Sequence, residues 1–341
     1  MSRAGSRGIL GKVLRWLIPL LISIIAIWLV LRDIDLRQLG QNFAQIGWRQ
    51  FVMASLAYFA AYFFRVFCWY ILLRRKVSFW DAFFTMGAGY LLNNVFPFRL
   101  GEIGRALLLD DPQGPKALEV LSSVIVERVF DVFLAAVFVL TMLPKIVNGV
   151  YDQTLILIAL IVALIGLAVL YLAARFRVRI IAWLKGWGEK SEFIRLRVAP
   201  RMIKVLEGLS VLTHTPSFLL AFGSLAASWF VAFGENFIIF RSLYANPPFW
   251  WMIFVLSAAT FGAALPSAPA SLGIFEGVMV AAFALLGVDA ETAFTHAIVI
   301  HTIAFVYANI FGLIGLRLRG KALISLYRRA LHRSPEVTPT E

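Results

Sequence analysis

Long apolar runs alternate with short basic blocks along this chain, and two of the runs are broken by polar residues, glycine and proline. A helix that crosses a bilayer needs about 20 apolar residues. Runs of that size predict full spans at 14–31, 51–73, 118–143, 153–174, 217–240 and 293–316. The stretches 79–110 and 249–288 are also long, but Pro, Gly and charged residues interrupt them. Broken helix at membrane depth is tolerated only where it faces protein or a water-filled cavity. These two stretches are therefore predicted to be re-entrant helical hairpins.

Charge fixes how the hairpins enter. With a cytoplasmic N-terminus and hairpins that return to their own side, the inner segments are 1–13, 74–78, 110–117, 175–216 and 317–341. They hold the basic blocks, while the outer loops hold Arg32, Arg37, Arg49, Lys145 and Arg241. If 79–110 crossed once, the basic loop 175–204 would move outside, against the excess of Lys and Arg that cytoplasmic loops carry. Both termini are then cytoplasmic, in the plasma or inner membrane. The first hairpin enters from the cytoplasm and the second from outside.

Each hairpin lies between two full spans, which makes an inverted repeat of span, broken hairpin, span. The chain is predicted to be one polytopic domain over 1–341. Residues 51–143 form the first inverted half, 175–213 a cytoplasmic linker, 217–316 the second half and 317–341 a basic tail. The linker intersperses basic residues with Phe176, Ile180, Ile181, Trp183 and Leu184, as an amphipathic helix on an anionic leaflet would. Interrupted segments at matching places in two halves are a sequence pointer to a transporter's binding site. The internal match is Pro97-x3-Gly101-Glu102 against Pro266-x6-Gly273-x2-Glu276.

Composition agrees with an all-α integral membrane protein: 61% of the 341 residues are hydrophobic and 15% charged. The net charge of +13 resides in loop blocks that suit anionic lipid, and no nucleic-acid partner is expected. The single cysteine, Cys68, lies in an apolar run, which excludes an intramolecular disulfide. Basic residues before the first apolar run imitate a signal peptide, but no small-x-small cleavage site follows, so an uncleaved span is expected.

The candidate chemistry is the charge inside the apolar runs. The stretch 93–105 reads NNVFPFRLGEIGR, which puts Asn93, Asn94, Pro97, Arg99, Gly101, Glu102 and Arg105 where lipid would penalise them. In the next span Glu127 falls about ten residues in, near the middle of a core roughly 30 Å thick. Asp131 shares its face at i,i+4, Arg128 projects about 100° away, and Arg65 reaches a similar depth on the preceding span. A paired structural network satisfies these charges. More cation donors than a salt bridge needs would instead suit an anion, and arginine forks fit phosphate.

Helix starts after Pro97 and Pro266 would add amide N–H groups, and Glu276 would bring a carboxylate from the second hairpin. His296 and His301 are five apart and share no face, so a metal pair is not expected. Glu235 and Asn236 are read as snorkelling near the outer end of their span. Asp33-x-Asp35 and Asp110-Asp111 are read as interfacial loops and not metal-nucleotide motifs. No cofactor is implied.

The motif N-x2-P-x-R-x-G-E-x2-R at Asn94–Arg105, E-R-x2-D at Glu127–Asp131 and a late P-x6-G-x2-E together resemble the lysylphosphatidylglycerol synthetase transmembrane (flippase) family. The resemblance spans roughly residues 10–320. It implies a membrane region that moves a lipid between leaflets. In fused members a soluble aminoacyl-transferase domain follows. Here 317–341 is a short basic tail, so a member without that domain is expected, and synthesis of the lipid is not implied.

Two classes of function follow. In the first, a flippase-like transporter moves a charged phospholipid or polyprenyl-linked head group. Arg99, Arg105 and Arg128 would hold phosphate, and Glu102, Glu127, Asp131 and Glu276 would hold a cationic head group or relay protons. No G-x4-G-K-[ST] sequence occurs, so a P-loop nucleotide site is not expected. In the second, a membrane-embedded enzyme acts on a lipid phosphate or polyprenyl carrier, although no nucleophile–base pair or metal set has convincing spacing. The partners implied are membrane lipids, anionic, aminoacylated or polyprenyl-linked, and the pattern is compatible with a homo-oligomer.

Overall fold

A computed structural model describes residues 21, 23–28, 31–32, 34–96, 100–111, 113–147, 153–192, 196, 199, 202–203, 206, 213–263 and 268–318. Pro97, Arg99 and Pro266 lie outside the described residues, as do most of the predicted first span and the basic tail. Among the described residues the chain is helical and no strand occurs. The helices are α1 (Leu36–Gln45), α2 (Trp48–Leu72), α3 (Phe79–Val95), α4 (Gly101–Leu108), α5 (Ala117–Val147), α6 (Gln153–Arg175), α7 (Arg177–Lys190), α8 (Thr215–Leu243), α9 (Trp250–Ala263), α10 (Ile274–Ala284) and α11 (Ala290–Leu318).

Helices α2, α8 and α11 are long and apolar enough to cross a membrane. Helices α5 and α6, at 31 and 23 residues, are also long enough for a core that takes about 20 residues. The two broken stretches behave differently. Helices α3 and α4 have 17 and 8 residues, about 25 and 12 Å, and α9 and α10 have 14 and 11 residues, about 21 and 16 Å. None reaches across roughly 30 Å of hydrocarbon. In each stretch the two short helices pack against one another.

Side chains mark where helices begin. Ser78 Oγ accepts from Asp81 N at 3.0 Å to start α3, and Asp289 Oδ1 accepts from Thr292 N at 2.8 Å to start α11. Asp110, half of the Asp110-Asp111 pair, accepts from Ala117 N at 3.0 Å where α5 starts. These are N-cap bonds that satisfy otherwise orphaned amides. Helix α7 exposes Val178, Trp183 and Trp187.

Packing divides the chain into two compact units, and the division runs across the long helices instead of between the sequence halves. The first unit takes 1–65, 129–169 and 224–305, and the second takes 66–128, 170–223 and 306–341. The core of the first gathers Phe240, Met252, Val255, Met279, Phe283 and Ala297, with Phe240 and Phe283 stacked at 4.5 Å. The core of the second gathers Ala88, Leu91, Leu107, Leu108 and Leu316. Large apolar side chains also cover the outside of the spans, including Leu56, Phe230 and Leu313. Such a surface is suited to lipid and not to water.

Candidate functional site

In the second unit the site is built on the turn between α3 and α4. Asn93 Oδ1 reaches across the break to accept from Gly101 N at 2.7 Å and caps α4. Gly101 is required there, because a Cβ at that position would run into the carbonyl oxygen of Gly89. With the backbones this close, Arg105 passes over Gly89 into the interior.

Arg105 is buried, and its Nη1 donates to Glu127 Oε2 at 2.7 Å; the two side chains are 1% and 0% exposed. The guanidinium also lies over the rings of Trp69 and Tyr90, at 5.0 and 5.2 Å. Trp69 is fixed in turn by donating Nε1–H to Ser123 Oγ at 3.0 Å, and Ser123 Oγ donates to the Val120 carbonyl. A pair this deep contributes little by forming, but it is costly to break, about 3–5 kcal/mol when one partner is removed.

Glu102 and Arg128 make a second pair, at 3.2 Å from Oε1 to Nε, and differ in one decisive respect. Their side chains are 24% and 29% exposed. The Asn94 side-chain nitrogen is buried without a hydrogen bond among the described residues.

In the first unit Asp131 has both oxygens engaged. Arg65 Nη1 lies 2.5 Å from Oδ2, and Trp229 donates Nε1–H to Oδ1 at 3.1 Å. Trp229 packs against Phe138 and Phe233. The second hairpin repeats the capping device at its own break. Gly273, at φ +82°, precedes α10, and its N–H donates to Glu276 Oε2 at 2.7 Å. The other carboxylate oxygen of Glu276 contacts His301 Nδ1 on α11. Ala270 and Ser271 are left-handed just before this turn, at φ +59° and +58°. Gly273 is tightly held, since a Cβ there would meet the Ser23 carbonyl at 2.6 Å.

Several sequence expectations change. Glu235 and Asn236 do not snorkel: they are buried, and Asn236 Oδ1 pairs with His296 Nε2 at 3.0 Å. The expected surplus of cations is not seen among the described residues, where Arg65, Arg105 and Arg128 each face a carboxylate. Any surplus rests on Arg99, outside those residues. The chosen residues resolve into separate pairs: Arg105 with Glu127, Glu102 with Arg128, Arg65 with Asp131.

Sequence reasoning missed Trp69, Tyr90, Ser123, Trp229 and His301 as partners of those charges. His301 takes its partner, Glu276, from the second hairpin and not from His296.

A family model described as the lysylphosphatidylglycerol synthase TM region matches residues 16–312. A UPF0104 membrane protein of Methanothermobacter thermautotrophicus (strain Delta H) is 25% identical over 254 residues, which cover 68% of this chain and 72% of that protein. No solved structure matches significantly.

Proposed function

Because the chain belongs to the lysylphosphatidylglycerol synthase transmembrane family, we propose that this membrane protein is a flippase-like transporter. It moves a charged phospholipid or polyprenyl-linked head group between leaflets of the plasma membrane. The proposal includes six crossings with both termini cytoplasmic. It also includes an inverted repeat in which the two short-helix hairpins are re-entrant from opposite faces.

One observation carries the reading: the Glu102–Arg128 pair is partly exposed, whereas Arg105–Glu127 beside it is sealed. Charged side chains inside a membrane protein that keep contact with solvent mark a path for polar cargo. A phosphodiester competes with Glu102 for the Arg128 guanidinium, and a cationic head group competes with Arg128 for Glu102. Either exchange frees the displaced side chain, which is itself partly exposed; a head group that carries both charges pairs with both side chains at once. The sealed Arg105–Glu127 pair then has a positioning role. It ties α4 to α5 while Glu102 and Arg128 change partners. This shifts the phosphate-holding role expected of Arg105 onto Arg128, with Arg99 still a candidate.

The test is leaflet exchange of a fluorescent anionic lipid by the purified protein in liposomes, with chemical analysis of the recovered lipid. Exchange of unmodified lipid above protein-free vesicles is the expected result. Exchange no faster than in empty vesicles contradicts the reading, and a chemically altered head group would favour the embedded enzyme.

A further inference from the structure

Away from the charge pairs, the second unit has a basic end with its own geometry. Helix α2 closes there with two crossed hydrogen bonds, from Arg75 N to the Tyr70 carbonyl at 3.1 Å and from Arg74 N to the Ile71 carbonyl at 2.8 Å. This is the Schellman closure, whose left-handed residue is usually glycine. Here that residue is Arg74, followed by a second left-handed arginine, each at φ +56°. Left-handed backbone disfavours a Cβ, so the chain holds two arginines where glycine would be easier. Such strain persists where the surroundings over-determine it, and it concentrates at ligand sites.

Two cavities open at this point, of about 430 and 600 Å³, in the size range of small-ligand sites. Arg74 and Arg177 line both. Lys116 and Leu118 border the first; Arg75, His214 and Leu220 border the second. The second also receives the start of the 29-residue α8 at Pro216 and Ser217, and a helix N-terminus favours an anion. Glu119 is the acidic residue in the first lining, and it is joined to Lys76 at 2.5 Å. Leu118 and Leu220, 43% and 45% exposed, give the rims an apolar flank.

We propose that the cavities around Arg74 and Arg177 form a second, interfacial site for a phosphate group. The apolar rim points to the phosphate of an anionic lipid head group whose chains lie along Leu118 and Leu220. Because the proposed cargo contact at Arg128 also takes an anionic head group, binding is measured in an Arg128→Ala background, so that this site is read apart from the transport site.

The test measures thermal stabilisation of the full-length protein in detergent. The probes are dihexanoyl-phosphatidylglycerol, inorganic phosphate and dihexanoyl-phosphatidylcholine. A ligand that binds the folded state raises the unfolding temperature. The double variant R74G/R177Q should lose about tenfold or more in affinity for the anionic lipid, as expected when charge-assisted bonds are removed. R241Q, a charge loss elsewhere, should bind as the Arg128→Ala parent does. Because glycine suits the helix end, R74G alone should fold at least as stably as that parent without ligand, which separates lost binding from lost structure. A response to the lipid alone assigns the site to a head group. A response to inorganic phosphate that the lipid displaces shows that free phosphate suffices; both keep the anion site. Undiminished binding by R74G/R177Q, or equal stabilisation by the phosphatidylcholine, overturns it.

Discussion

In the first hairpin the helix after the break starts under an amide cap, Asn93 on Gly101, and a separate side chain, Arg105, ties it to Glu127. In the second, one carboxylate does both jobs: Glu276 accepts from Gly273 N and also faces His301. The first hairpin supplies the cation and takes the carboxylate from a span; the second supplies the carboxylate and takes the base from a span. The pairs also differ in kind, because a guanidinium keeps its charge whereas an imidazole is charged only when protonated. Breaking a helix in an apolar stretch thus calls for two things, a cap for the new N-terminus and a polar tie to a neighbour. The two ends of this chain meet that need with reversed charge.

The largest expected difference lies in how closely the backbones approach. Gly101→Ala puts a methyl group onto the Gly89 carbonyl, and backbone cannot move aside cheaply. At Gly262 of the second hairpin, a Cβ would meet the Val278 side chain at 2.5 Å, which is freer to turn. Overpacking costs about 1–3 kcal/mol, or more where nothing yields. Gly101→Ala should therefore abolish a monodisperse peak in size-exclusion chromatography, while Gly262→Ala keeps one. Similar profiles for the two variants would mean that the first hairpin is no tighter than the second.

Next comes the sealed pair. Arg105→Leu leaves Glu127 buried without its cation, an expected loss of about 3–5 kcal/mol. Adding Glu127→Leu should recover much of that loss, because an apolar pair of similar volume avoids the buried charge. Thermal unfolding of the three proteins checks this. If the double variant is no better than the single, the pair contributes through shape and not through charge.

Much of this architecture could be read from the chain, for physical reasons. Pro, Gly and charge inside apolar runs located both breaks, because lipid leaves few other uses for them. The identities of the charges in pairs were also readable: Arg65, Arg105, Arg128, Glu102, Glu127 and Asp131 all find opposite charges. Who pairs with whom was not readable. Glu127 and Asp131 share a helix face by spacing, but their partners come from α4 and α2, and nothing local chooses between them. The aromatic supports were hidden for a related reason. Trp69 and Tyr90 look like any lipid-facing residue until packing places them under Arg105.

A smaller effect is expected at the second cap. Glu276→Gln keeps an acceptor for Gly273 N but loses the charge facing His301, and a hydrogen bond to a charged group contributes about 1.5–3 kcal/mol. Its melting temperature should fall less than that of Arg105→Leu. A larger fall would make the second hairpin the more dependent of the two on its ion pair.

The smallest expected stability change belongs to the partly exposed Glu102–Arg128 pair, because ion pairs towards a surface contribute about 0–1 kcal/mol whereas sealed ones cost far more to break. Glu102→Gln and Arg128→Ala should unfold near the wild-type temperature, yet they hold the proposed contact with cargo. The most direct measurement is therefore the ratio of leaflet-exchange rates for an anionic and a zwitterionic fluorescent lipid, in wild-type and Arg128→Ala liposomes. Removing a charge-assisted bond worth about 1.5–3 kcal/mol should slow anionic exchange roughly tenfold or more, with zwitterionic exchange less affected. An unchanged ratio in a well-folded Arg128→Ala protein would contradict the assignment of cargo binding to this pair.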